Sequence, residues 1–487
     1  MAETLPEPAS RKEQYLAKIA GDETVVLPEP ASRKEAYLAT IAGMTGVALP
    51  EKPANREEEY LAVIAENGGG GGGGGDTGDY GKITVGKVTS IDLIYSSGPT
   101  ATLPTGDNKI KFYNWLVSIG AIHSVNDSSI GTYPMIGLIG DNTKIPYGEY
   151  WVLNCADGSE YRVTKTYLAQ EFGLNITGVT VPSLQNVYAL YINFRNPVFA
   201  EGETTEYAIT KKSTYDRMGQ ALQFGTSAPN VPQFKALQLD DGTFIDRTTI
   251  LSYSFGKDCT YIPDCFLSGC SALDCSLTIP SGIKEIGDCF LCYAGKFNHD
   301  IDLNEVETVG QEFMRYCPKF NSNVTANHLK EVKPFFLSNL AVFNKPLNFP
   351  SLETIQRYFI YNDAKFNSQI SVPNLVNIDP AYFMYGCKVF AQPLVINATN
   401  FFTGAGDRKG YFMYDCQAFT GPLTITTNFP SWMTGATDTN NCLATISTTV
   451  PMYTTGVTLK GAGRTSWITT LPDRTSSPYR KLIDGGE

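Results

Sequence analysis

Phenylalanine recurs at Phe266, Phe290, Phe313, Phe336, Phe359, Phe383 and Phe412, in steps of 24, 23, 23, 23, 24 and 29 residues. Seven residues after these stand Leu273, Phe297, Phe320, Phe343, Phe366, Phe390 and Phe419, and eleven after stand Leu277, Ile301, Val324, Leu347, Ile370, Leu394 and Leu423. Ile262, Ile286, Val309, Val332 and Ile355 add a column upstream of the first five. Apolar columns held in register over this period specify a solenoid, in which each turn buries its columns against the next.

The cysteines follow the same frame. Cys270, Cys317, Cys387 and Cys416 lie four residues after their phenylalanines, and Ala294, Leu340 and Ala364 are expected to fill the equivalent places. Exchange of Cys with small or apolar residues is a packing signature, because buried Cys behaves as a compact hydrophobe. The competing reading is zinc: Cys259, Cys265, Cys270, Cys275, Cys289 and Cys292 are dense, and Cys289 with Cys292 forms a C-x-x-C pair. Because Cys265 and Cys289 both immediately precede a repeat phenylalanine, stacking is preferred, and no metal or other cofactor is expected.

The wording of these turns, from "FLSGCSALDCSLTIPSGIKEIGDCF" to "FMYGCKVFAQPLVI", resembles the BspA-like leucine-rich repeats of bacterial surface proteins and some phage proteins. The resemblance covers roughly residues 259 to 430 and includes the "FN" at Phe297, Phe320, Phe343 and Phe366. It implies short parallel strands at "LTIP", "IDL" and "LNFP". Two departures stand out: "NATNFFTGAGDRKGY" lengthens the sixth interval and implies a projecting loop, and the asparagine ladder of other leucine-rich classes is not evident. Beyond Phe429 the repeat fades, and "GVTLKGAGRTSWITTLPDR" is expected to cap the open end.

A second repeat opens the chain. "LPEPASRKEQYLAKIAG" from Leu5 is nearly rewritten as "LPEPASRKEAYLATIAG" from Leu27, and "LPEKPANREEEYLAVIA" follows from Leu49. The prolines Pro6, Pro28 and Pro50 favour an extended arm. Ser10 with Glu13, Ser32 with Glu35 and Asn55 with Glu58 have capping-box spacing, so a short helix is expected to follow each arm. Tyr15, Leu16 and Ile19 share one face of the first helix, Tyr37, Leu38 and Ile41 of the second, and Tyr60, Leu61 and Ile64 of the third. So short a helix is marginal in water and one narrow stripe forms no core, so each needs a surface to lie on. Either the three pack on one another or on the next domain, or they dock on equivalent sites of a repetitive assembly. Gly68 to Gly75 follow as a hinge, spanning about 15 Å as a coil and at most roughly 28 Å extended.

This opening resembles the N-terminal repeats of head-fibre proteins from tailed bacteriophages, over about 65 residues. The resemblance implies attachment to the capsid exterior, a homotrimer, and synthesis in the host cytoplasm. It implies docking on the major capsid protein, or another virion protein, through the three Tyr-Leu-Ile stripes and the arms at Leu5, Leu27 and Leu49. Attachment to a collar or tail is not distinguished from attachment to the capsid.

Between the repeats, "KITVGKVTSIDLIY" and "YALYINF" read as strands, while "KFYNWLVSIGAI", "YLAQEFG" and "TKKSTYDRMGQAL" are helical candidates. The expected architecture is thus multidomain and mainly β: docking repeats (1–67), a polyglycine linker (68–79), a β-rich stalk or oligomerisation domain (80–254), a BspA-like leucine-rich repeat solenoid (255–430) and a cap (431–487). A formal charge of −11 disfavours nucleic acid. No apolar run reaches the roughly 18 residues of a spanning helix, so no membrane is expected, and no signal peptide is evident. His123, His299 and His328 lack a catalytic motif around them, and Asp240–Asp241 and Asp300 with Asp302 read as solvated turns. The expectation is a structural virion fibre, without catalytic residues, that uses its solenoid for adhesion to a host-surface glycan or protein. The alternatives are a bacterial surface adhesin, which needs export, and a tail or collar fibre with glycan-depolymerase activity, which needs a concave acidic cluster.

Overall fold

The computed structural model describes residues 77–127, 131–141, 147–179, 188–219, 233–234, 236–379, 382–400, 412–419, 422–428, 457–470 and 482–486, with isolated positions 14, 29, 36, 38 and 39. The chain forms two compact units, 1–78 with 210–212, and 79–209 with 213–487. In the first, Gln14, Ala36, Leu38 and Ala39 are helical, as the capping boxes predict, and Ala36, Leu38 and Ala39 are buried. Thr77 bridges Lys211 antiparallel.

The second unit begins with an antiparallel sheet of eight strands, whose main path runs Ile250–Ser254, Lys82–Ser97, Ala189–Ala208, Gly131–Gly140, His123–Asp127 and Gln233–Phe234. Tyr150–Asn154 and Glu160–Thr164 extend it from Gly131–Gly140. Two helices, Asp107–Ser118 and Lys165–Phe172, bury Phe112, Tyr113, Leu116, Leu168 and Phe172 in one core with Val88, Ile91 and Trp151. Thr164 starts the second helix by accepting the Tyr167 N–H at 3.0 Å, and Gly173 ends it at φ 72°. The expected helix in "TKKSTYDRMGQAL" spans Lys212–Met218.

The lower end of this sheet shares a core with the solenoid. Ile83, Tyr215, Ile250 and Tyr253 belong to the same buried cluster as the repeat columns. Phe266, the first anchor, meets Tyr215, Tyr253 and Phe255 with ring centroids 5.3, 5.1 and 5.6 Å away. The β-rich region therefore covers the first turn, which would otherwise expose its apolar end.

The solenoid turns contribute strands of two to four residues in three parallel ladders. One joins Ile286, Val309, Val332, Ile355 and Ile378; another joins Met314, Leu337, Ile360, Met384 and Met413. The third follows the expected column in segments, Leu277 with Ile301 and Val324, Leu347 with Ile370, and Leu394 with Leu423. It continues through Val457–Lys460 to Leu482–Asp484, so the region expected as a cap adds two strands to the ladder, and the helix Arg464–Thr470 lies between them. The anchor phenylalanines stack with centroids 6.5 Å apart at the first pair and 5.0 Å at the last. The column seven residues on stacks at 5.6 to 6.1 Å from Phe297 to Phe419.

An asparagine ladder, not expected from the sequence, runs beside this second ring column. Asn298, Asn321 and Asn344 accept through Oδ1 the backbone N–H of the asparagine one turn on, at 2.7, 2.8 and 2.7 Å, and Asn367 accepts that of Ala391 at 2.8 Å. Each side chain satisfies an amide that the turn geometry leaves without a strand partner.

Candidate functional site

Among the described residues, the position before each anchor and the third position after it have left-handed backbone. The first set is Cys265, Cys289, Glu312, Phe335, Tyr358 and Tyr382, with φ between 52° and 60°. The second includes Tyr293, Tyr316, Asn339, Asn362 and Asp415, with φ between 54° and 61°, and glycine at Gly269 and Gly386. Two such residues bend each turn into a sharp corner. Their N–H groups donate to the next turn, Tyr293 to Arg315 at 2.8 Å, Tyr316 to Ser338 at 3.0 Å and Asn339 to Tyr361 at 2.8 Å. Left-handed backbone costs a residue with a side chain about 1–2 kcal/mol, so bulky residues here oppose local preference.

Along this corner the side chains change character while the backbone repeats. Counting also the second residue after each anchor, the early turns carry Cys265, Cys289 and Cys292, the middle turn Glu312 and Arg315, and the later turns Phe335, Tyr358, Tyr361, Tyr382 and Tyr385. The later aromatics are half-buried and form two ladders. Phe335, Tyr358 and Tyr382 stack at 4.2 and 4.9 Å, and Tyr361 stacks on Tyr385 at 4.8 Å. Between ladders the rings cross at 78° for Phe335–Tyr361 and 80° for Tyr358–Tyr361. This herringbone uses ring faces internally, so the strip presents mainly ring edges outward.

Arg315 links the zones. Its guanidinium lies 4.8 Å from the Tyr316 ring centroid and 5.9 Å from that of Phe335, and its Nη1 donates to Glu312 Oε1 at 2.5 Å. Burial raises the Glu312 carboxyl and Arg315 partly offsets it; burial alone would lower Arg315, but Glu312 and Tyr316 keep it firmly cationic. Burial also raises the Cys292 thiol. At Cys289 the hydrogen bond with Cys265 pulls downward, but Cys292 and burial outweigh it.

The column four residues after each anchor requires a correction. Cys270, Ala294, Cys317, Leu340, Cys387 and Cys416 occupy it as expected, but in the fifth turn its occupant is Asp363, not Ala364. Asp363 is wholly buried, accepts the Leu340 N–H at 2.7 Å through Oδ1, and meets no hydrogen-bond donor at Oδ2. Burial raises its carboxyl well above the ordinary range, whereas the Cys317 thiol in the same column is pushed up to about 12.

Of the fifteen predicted docking residues, Leu38 alone falls among the described residues, where it is helical and buried. Leu5, Pro6, Tyr15, Leu16, Ile19, Leu27, Pro28, Tyr37, Ile41, Leu49, Pro50, Tyr60, Leu61 and Ile64 lie outside them. His299 Nε2 donates to Asp274 Oδ1 at 2.8 Å, and His328 is exposed. Asp300 accepts the Asn323 N–H at 2.8 Å and Asp241 that of Thr243 at 2.9 Å; these bonds lower both carboxyls, as suits ionised turn acceptors. No helix among the described residues is long and apolar enough to cross a membrane.

No family model and no curated protein matches the sequence. Among solved structures the chain is similar to a leucine-rich repeat protein from Bacteroides ovatus, at 13% identity and a TM-score of 0.24. The match covers 36% of this chain and 54% of that one, about half its length. By its own ladders the chain is a mainly β protein with a C-terminal parallel solenoid.

Proposed function

We propose that the protein is a structural virion component of the head-fibre type. The modules of 1–67 anchor it to the capsid exterior, the glycine run accommodates the change of symmetry, and the BspA-like solenoid presents its corner to a host-surface glycan or protein. The observation that carries this reading is the threefold writing of one arm-plus-helix module ahead of a glycine hinge. Equivalent modules suit equivalent sites, and linkage multiplies weak contacts by effective concentration. Leu38 is covered in the isolated chain, so docking in this reading exchanges that cover for the shell.

The aromatic strip supports the distal half of the reading. Bulky rings at positions whose backbone favours glycine or asparagine are poorly explained by turn geometry, and stacking offsets only part of the cost. Assembly of three chains would triple the strips and favour weak multivalent contact. The test is incorporation into particles that lack the protein. The full chain is expected to join them and a chain of residues 68–487 is expected to fail. Equal incorporation would overturn the anchoring role.

A further inference from the structure

The thiol-rich start of the corner gathers sulfur and carboxylate ligand atoms from successive turns. Cys289 and Cys292 flank the anchor Phe290, and the left-handed backbone at Cys289 brings both thiols to one side of the turn. Glu312, from the next turn, occupies the same column as Cys289. The ligand atoms of Cys289, Cys292 and Glu312 all lie within 4.8 Å of one another, and Cys289 Sγ is 3.8 Å from Glu312 Oε2. Cys265, from the preceding turn, belongs to the same buried cluster.

We infer that Cys265, Cys289, Cys292 and Glu312 form a binding site for a thiophilic divalent cation, with zinc the best fit. A tetrahedral ion with sulfur at about 2.3 Å and oxygen at about 2.0–2.2 Å sets sulfur and oxygen ligands about 3.5–3.8 Å apart. The separations among Cys289, Cys292 and Glu312 need a contraction of at most about 1 Å, and Cys265, hydrogen-bonded to Cys289, would close in from the preceding turn as the fourth ligand. The outer contacts are also in place: Arg315 holds Oε1 of Glu312 at 2.5 Å, leaving Oε2 turned toward Cys289. Three thiolates outweigh harder donors, which favours zinc over calcium or magnesium. Binding releases the three thiol protons to solvent, so no buried anion is left without the cation.

Position argues against simple packing. The cysteines at Cys270, Cys317, Cys387 and Cys416 fill an inward column, where a compact apolar group is needed. Cys265, Cys289 and Cys292 are buried too, but in corner columns that later turns fill with half-exposed rings and, at Ser338, a hydroxyl, so the repeat frame does not require thiols there. The sequence held the C-x-x-C pair but gave no sign of Glu312, which becomes a ligand only when the turns stack.

The test is cobalt titration of the full-length chain, with thiols reduced and metal first removed by chelator. Thiolate-to-cobalt charge-transfer absorption is expected to rise, saturate at one equivalent and vanish on adding zinc. Cys289→Ser with Cys292→Ser is expected to abolish it, Cys387→Ser to leave it intact, and Arg315→Met to weaken zinc binding by about 10–100-fold. Absence of the absorption in the reduced wild-type chain overturns the site, and that result stands whether or not the double variant folds. Absorption undiminished in a folded double variant overturns it equally.

Discussion

The chain repeats itself twice at almost the same period and for different physical ends. The first two N-terminal modules differ only at Gln14 against Ala36 and Lys18 against Thr40 within their seventeen residues. The solenoid turns share little beyond their inward columns, and their corners drift from cysteine through an ion pair to tyrosine. A repeat that needs only to stack retains the side chains that touch its neighbours, because close packing there is unforgiving. A repeat that must fit the same external site several times retains its outer residues too. Near-identity in one region and drift in the other are what the proposed anchoring, beside scaffolding, would leave in the sequence.

The largest effect should follow from breaking an inward column. Phe336 is fully buried between Phe313 and Phe359, at 5.3 and 5.5 Å. Phe336→Ala is expected to destabilise the solenoid by about 3–5 kcal/mol, read by denaturant unfolding. Its neighbour Phe335 faces the corner, and Phe335→Ala should cost about 1–2 kcal/mol. Equal losses would erase the distinction between stacking and corner positions.

Asp363 sharpens the comparison as a polar intruder in an inward column. Its raised carboxyl binds a proton more tightly in the folded state than in the unfolded chain. That contribution is complete below the unfolded value of about 3.9 and is lost as pH rises toward the folded value. Asp363→Asn keeps the acceptor for the Leu340 amide. Its unfolding free energy should match wild type near pH 4 and exceed it increasingly toward neutral pH, by about 1–3 kcal/mol. A gap that narrows with rising pH would refute the buried neutral carboxyl.

A smaller loss is expected at the asparagine ladder. Asn344 accepts the Asn367 N–H at 2.7 Å and the Ser368 hydroxyl at 3.0 Å, so Asn344→Ala should cost about 0.5–1.5 kcal/mol in thermal unfolding. Smallest of all is Tyr37→Ala in the second module, expected to leave unfolding of the solenoid within about 0.5 kcal/mol of wild type. A larger shift would tie that module to the solenoid's own stability.

What could be read from sequence follows the same division. The inward columns were legible because nearly every turn repeats their apolar character, with Asp363 the exception, and the long strands and three helices because their periodicity is local. The corner was not, since its positions hold different residue types and are found only by counting one back and two or three forward from each anchor. Asp363 was missed because its place in the fifth turn was assigned to Ala364, which stands five residues after Phe359 where the column calls for four. The asparagines of the ladder were visible, but their role requires the next turn's amide to arrive beside them.

The most direct measurement is retention on particles of chains carrying three, two, one or none of the N-terminal modules, with the solenoid unchanged. If equivalent modules dock on equivalent sites, release should quicken at every removal, with avidity accounting for about 10²–10⁴-fold across the series. Retention that stays constant down to residues 68–487 would contradict anchoring by the modules.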